Sequence, residues 1–333
     1  MEKKIDYFME NSKVILIFLV VIGHFTVMDY NFPRLTNLLF TSFRMPAFIF
    51  VCGYFAKRHN LMKDLKKLLV PYLILQVIWF LYNTFCLQIN DSFFFFRPAY
   101  TLWFLLSIFT MKQLVHFIDK LKYPLFTLFF IAIIAGYTSY IGTYLSLSRT
   151  IVFFPFFYMG FKFKRDQFVN KTNNYQIKAL AILLFIVLFI ILYNNQTIFT
   201  RLLFFGNSSY SQIISEIYPQ TKINIYSGLL RVCQYIFSTI AMYCFFVLVP
   251  KEKNKLSYIG HATLGVYIVH PFIVQALRYS GFYKIINNPF EIIMCYVIAI
   301  IITLILSTKT VNKYIRYLFK IPIEKLFKKE KLG

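Results

Sequence analysis

Ten apolar runs of near membrane-crossing length divide this chain, and most of the segments between them are short and basic. A helix crosses the hydrocarbon core with about 20 apolar residues. Runs approaching that length lie at 14–30, 35–56, 68–89, 99–118, 123–141, 149–163, 176–193, 225–249, 257–279 and 290–310. In lipid each backbone amide must find its partner within the segment, so such runs fold as helices. The expected fold class is all-α: a polytopic transmembrane helical bundle of about ten transmembrane helices over residues 1–310, then a basic cytoplasmic tail at 311–333. Composition closes the alternatives. Of the residues, 59% are hydrophobic and only 15% charged, against about 25% charged in soluble domains. So few charges cannot cover a water-soluble surface, and the apolar content excludes disorder. The sixth run is short and carries Pro155, which predicts a kink or neighbours that satisfy the freed carbonyl.

Lysine and arginine set the orientation, because they concentrate in cytoplasmic loops. With alternating spans, the N-terminal segment, 57–67, 112–122, 162–178, 251–255 and the tail after 308 share one face and hold 27 of the 36 basic residues. Both termini are therefore expected in the cytoplasm, where Lys-rich loops also meet anionic lipids favourably. The formal net charge of +23 reads as topology, and no nucleic-acid partner is needed to explain it. No A-x-A-like site follows residues 14–22, so the first run is expected to be a retained helix rather than a cleaved signal. The outer stretch 194–224 is expected to form a lid or rim. The five cysteines, Cys52, Cys86, Cys233, Cys244 and Cys295, are scattered through apolar runs without metal-ligand spacing, so no metal site is expected.

An ionisable group inside a span is costly and points to function. His24 lies about eleven residues into the first run, Arg44 about ten into the second, and His270 about fourteen into the ninth. With alternating directions these three gather near mid-depth, toward the outer half. Arg149 and Trp103 stand at the outer ends of the sixth and fourth runs. Asp29 is the carboxylate nearest this slab, and it lies off the i+3/i+4 face of His24. Lys13 and His24 are eleven residues apart, close to three helical turns, so they share a face with about 16 Å of axial separation. That face suits an elongated anionic donor entering from the cytosol, its phosphates at Lys13 and its reactive end at His24. Histidine, with an ordinary pKa near 6.5, can take a proton from a hydroxyl and return it to a leaving group. Packing readings stand beside these: Lys13 as a snorkelling helix-end lysine, His24 as a hydrogen-bonded core histidine, His270-Pro271 as a helix break, Trp103 as an interfacial anchor. His59, His116 and His261 fall near the inner surface and are assigned no role.

Several segments, read together, are more specific. Lys13 and His24 close a basic-x10-His pattern ending Gly23-His24. Phe43-Arg-Met-Pro-Ala-Phe-Ile-Phe-Val-Cys-Gly-Tyr54 follows, then Lys67-Leu-Leu-Val-Pro-Tyr72 and Leu102-Trp-Phe-Leu105. Ser148-Arg149 precedes Phe154-Pro-Phe-Phe-Tyr-Met-Gly160, and a late Thr263-Leu-Gly-Val-Tyr-Ile-Val-His-Pro271 completes the series. In this order, over roughly residues 12–280, they resemble the motifs of the acyltransferase-3 family of integral membrane acyltransferases, in its fucose-4-O-acetylase-like branch. Two positions depart from that pattern. Lys13 stands where Arg is usual, which keeps the charge but loses the bidentate fork. Arg44 stands where this branch often has His.

The resemblance implies transfer of an acyl group, usually acetyl, to a hydroxyl of an extracytoplasmic cell-envelope or exopolysaccharide sugar. Acetyl-CoA or another acyl-CoA would be the cytosolic donor, with no bound cofactor. The partners implied are acyl-CoA, a carbohydrate or glycolipid acceptor and membrane lipids, at a bacterial plasma membrane. His24 would be the main catalytic residue and Lys13 its donor-side partner. Arg44, Arg149, His270 and Trp103 would bind substrate. The competing expectation is an exporter or flippase of a polysaccharide or lipid-linked sugar, as some relatives are described. Transport favours inverted repeats, and the sequence has no internal repeat.

Overall fold

In a computed structural model, which describes residues 5–26, 30–58, 60–89, 92–218, 220–286 and 288–319, every regular element is helical. The first half holds α1 (Tyr7–Phe25), α2 (Asn31–Tyr54), α3 (Leu61–Cys86), α4 (Trp103–Ile118), α5 (Pro124–Ala135), α6 (Leu147–Lys162) and α7 (Arg165–Thr172). The second holds α8 (Tyr175–Asn194), α9 (Arg201–Phe205), α10 (Tyr210–Ile217), α11 (Gly228–Leu248), α12 (Thr263–Tyr279), α13 (Pro289–Leu306) and α14 (Lys309–Leu318). Each apolar run is occupied by one helix. Six stretches among the described residues are long and apolar enough to cross a membrane: α1, α2, α3, α8, α13 and Ile225–Leu248, which contains α11. The helices in the other four runs, α4, α5, α6 and α12, have 16, 12, 16 and 17 residues. The expected tail lies outside the described residues beyond 319; its first part is α14.

The helix ends differ from the apolar runs for identifiable reasons. α1 begins at Tyr7, well before the run at 14, because Asp6 caps it by accepting from Met9 N at 3.3 Å. Its first turns are polar but buried against protein: Asn11 Nδ2 donates to the carbonyls of Pro250 and Glu252 at 3.0 and 2.7 Å, and Asn11 Oδ1 accepts from Ser257 Oγ at 2.7 Å. Lys13 is therefore in the second turn of the helix, not at its end. α3 likewise starts early, at an Asn60 cap. It widens into a π-helical turn over Leu65–Leu69, just before Pro71, whose ring lacks an amide donor. α5 stops short of its run because α10 packs across its end. Tyr210 N donates to Gly136 O at 2.7 Å, and a Cβ on Gly136 would lie 2.3 Å from the Tyr210 ring.

α2 is the central helix, packed against α1, α6, α8 and α11. Its contact with α6 is backbone to backbone. A Cβ on Gly53 would lie 2.0 Å from Phe157 O, and one on Gly160 would lie 1.9 Å from Phe50 O. Small residues that let helices touch in this way are the membrane substitute for a hydrophobic driving force. Pro155 interrupts α6 without ending it. Tyr235 of α11 donates its hydroxyl at 2.8 Å to Val152 O, in the turn that precedes Pro155. The stretch 194–224 supplies α9 and α10. It is tied to α6 by Ser148 Oγ donating to Gly206 O at 2.8 Å and Arg149 Nε donating to Phe205 O at 3.2 Å.

Candidate active site

A cavity of about 460 Å³ runs between α1, α2, α4, α6, α9 and α12. Lys13 and Thr263 line it toward one end of α1; His24, Thr26, Tyr100, Arg201 and Arg278 line it toward the other. Lys13 and His24 thus share the cavity face, as the helical spacing requires. Arg44, Arg149 and Trp103 complete the wall. Five cations line the space, and no carboxylate does so among the described residues.

His24 is held from two sides. Its Nδ1 lies 3.1 Å from the hydroxyl of Tyr100, and its ring packs 5.4 Å from the rings of both Tyr100 and His270. Tyr100 is itself pinned between α3 and the site, stacked on Trp79 at 5.4 Å. Its φ of 43° is in the left-handed region, uncommon for a bulky residue and a mark of imposed geometry. His270 is fully buried behind His24 rather than on the cavity wall. Its Nδ1 is 2.8 Å from Val266 O, so it donates there, and its Nε2 has no partner among the described residues. The two histidines expected at one depth do meet, but the geometry gives His270 a position supporting the His24 ring.

Arg44 is 6% exposed and has no carboxylate partner among the described residues. It donates to Asn37 Oδ1 at 2.8 Å and to Leu19 O at 3.3 Å. Gly23 makes this seat possible, since a Cβ there would lie 1.7 Å from Arg44 Nη1. The glycine beside the histidine is thus room for a guanidinium. Arg149 lies 4.7 Å over the Trp103 ring, which joins the two residues expected at the outer helix ends into one cation–π pair. Trp103 stacks in turn on Phe153 at 5.8 Å.

Lys13 pairs with Glu10 at 2.8 Å and lies 5.3 Å over the Phe55 ring. Glu10 is buried, with His261 Nδ1 3.5 Å from its Oε2, so His261 neighbours the site after all. Asp29, the expected nearby carboxylate, and His59 lie outside the described residues. Sequence reading missed Tyr100, Arg201, Arg278 and Glu10. For Arg201 and Arg278 a signal existed: both belong to the few basic residues that orientation does not explain. For Tyr100 there was none, because its role comes from a fold contact across 76 residues.

A half-buried base oriented by a hydroxyl, beside four arginines without an ion pair among the described residues in one cavity, can activate a hydroxyl and stabilise an oxyanion on a substrate with an anionic handle. No curated protein and no solved structure matches this sequence. The family comparison is positive over nearly the whole chain: residues 6–308 match the acyltransferase domain model of the acyltransferase-3 family. The chain, whose regular elements among the described residues are all helical and which has six stretches of membrane-crossing character, belongs to the acyltransferase-3 family of membrane acyltransferases.

Proposed function

We propose that this protein moves an acyl group, acetyl in the first instance, from cytosolic acyl-CoA to a hydroxyl of an extracytoplasmic cell-envelope sugar. It would do so in a bacterial plasma membrane crossed by ten helices, with both termini in the cytoplasm. The observation that carries the reading is the cavity with Lys13 toward one end, His24 deep inside and five cations on its lining, of which only Lys13 has a carboxylate partner among the described residues, Glu10. Its volume of about 460 Å³ is in the ordinary range for small-molecule sites, about 300–1,000 Å³.

The donor's phosphates sit at Lys13, and the pantetheine arm follows α1 for about 16 Å to His24. With its proton on Nδ1, His24 donates to the Tyr100 hydroxyl and keeps the Nε2 lone pair for catalysis. Nε2 takes the acceptor hydroxyl proton as that oxygen bonds to the thioester carbonyl. Arg44 stabilises the oxyanion. The C–S bond then breaks, and the thiolate leaves with the proton returned from His24. The products are the sugar O-ester and CoA thiol. The decisive experiment complements a deletion strain with wild type or His24→Ala at equal membrane levels and measures ester-linked acyl groups on envelope glycans. Loss of the ester in His24→Ala is expected; an unchanged ester content refutes the reading. Glycan flux across proteoliposomes without acyl-CoA would support export instead.

A further inference from the structure

Two arginines that the proposed chemistry does not use stand at the outer end of the cavity. Arg201 comes from the first turn of α9 and Arg278 from the last turn of α12, and both line the cavity. Both are exposed, so a ligand can reach them. Their charges are not compensated. Among the described residues neither forms an ion pair. Arg201 rests only 5.0 Å over the Phe205 ring. Arg278 donates to Gln275 Oε1 at 3.3 Å and lies 6.0 Å from the Tyr100 ring. The two guanidiniums line one cavity and carry the same charge; desolvation where Arg201 faces that cavity, and after it the Arg278 charge, lowers the Arg201 pKa from its usual value, while Tyr100 and Glu216 act the other way. Like charges that line one cavity are stabilised when an anion lies between them, and guanidiniums match the oxygens of a phosphate or carboxylate.

The location decides which substrate brings that anion. In the proposed reaction the phosphates of the donor occupy Lys13, about 16 Å from His24 along α1. Arg201 and Arg278 bear on His24 and on Tyr100, with which they line the cavity toward the other end of α1. A donor anchored at Lys13 and reacting at His24 has no phosphate left to place there. We propose that Arg201 and Arg278 form an oxyanion clamp for the acceptor, which is an acidic glycan or a sugar carrying a phosphate or carboxylate near the acylated hydroxyl. Tyr100 then has two neighbours to serve, the imidazole of His24 and the clamp. This inference rests on the acyl-transfer reading and narrows its acceptor class.

The test uses the full chain in a deletion strain, comparing wild type, His24→Ala, the pair Arg201→Gln/Arg278→Gln and the pair Arg201→Lys/Arg278→Lys at equal membrane levels. Envelope glycans are split into acidic and neutral fractions by anion exchange, and the ester released by mild base is identified by mass. The expected result is an ester on the acidic fraction that falls at least about tenfold in the glutamine pair, the loss of one charge-assisted hydrogen bond. The lysine pair should retain a larger share than the glutamine pair. An ester confined to neutral glycan, or undiminished in the glutamine pair, overturns the clamp while leaving acyl transfer standing. A dicarboxylic acyl ester on neutral glycan overturns it too, by placing the anion on the donor. An ester that survives in His24→Ala refutes the acyl-transfer reading itself, and the clamp with it.

Discussion

Replacing Gly23 with alanine adds one methyl group where α1 faces Arg44, and the structure says what must give way. The new Cβ would lie 1.7 Å from Arg44 Nη1, 2.7 Å from its Cζ and 2.8 Å from Asn37 Oδ1. Contact between such atoms needs about 3.5 Å, so the guanidinium must withdraw by roughly 2 Å. That breaks the 2.8 Å bond to Asn37 and the 3.3 Å bond to Leu19 O. A hydrogen bond from a charged group contributes about 1.5–3 kcal/mol, and the displaced guanidinium recovers part of this in the polar cavity. The obstructing atoms are the far end of a flexible side chain, so the helices need not part and the protein should still reach the membrane. Catalysis has less tolerance: a misplacement of about 1 Å can cost about 100-fold. The expectation for Gly23→Ala is therefore a fall in acyl transfer of about 100-fold at near-normal membrane abundance. Ester content of envelope glycans, normalised to protein level, measures it. Transfer within threefold of wild type would refute the assignment of Gly23 as the seat of Arg44. So would full additivity between Gly23→Ala and Arg44→Met, since residues acting through one contact are non-additive.

The glycine joint between α2 and α6 should respond in the opposite way. Gly160→Ala meets Phe50 O at 1.9 Å, a backbone atom that cannot swing aside, so the variant should lose about 3 kcal/mol of stability, read as a lower thermal midpoint of the purified protein; an unchanged midpoint would show that the helices do not touch there. Tyr100→Phe removes the 3.1 Å contact to His24 Nδ1 and should slow transfer about fivefold, the equivalent of one neutral hydrogen bond. An unaltered rate would mean that Tyr100 does not orient the imidazole.

The helices were legible because apolar runs in lipid leave the backbone no other regular solution. Their ends were not. Hydropathy starts α1 at an apolar residue, but Asp6, Asn11 and Ser257 extend it by hydrogen bonding into protein, which a scale of water-to-lipid transfer does not register. The Lys13–His24 face was legible because it depends only on helical pitch. The neighbourhood of His24 and His270 followed from depth alone, yet depth could not say that His270 stands behind its partner rather than on the wall. Tyr100, Arg201 and Arg278 come from a loop, a short helix and a helix end. Their convergence depends on packing between distant segments, and no periodicity encodes it.

The reciprocal contact at Gly53 and Gly160 also acts at a distance. Arg44 precedes Gly53 by nine residues and Arg149 precedes Gly160 by eleven, about 14 and 17 Å of helix, and both arginines line the same cavity. α2 and α6 touch backbone to backbone near one end and each carries a cation toward the other end, Arg44 held by Asn37 and Leu19 O and Arg149 by Phe205 O. A methyl group added at either glycine would part the helices at that contact, so two of the smallest side chains in the protein also bear on the spacing of two of its buried charges.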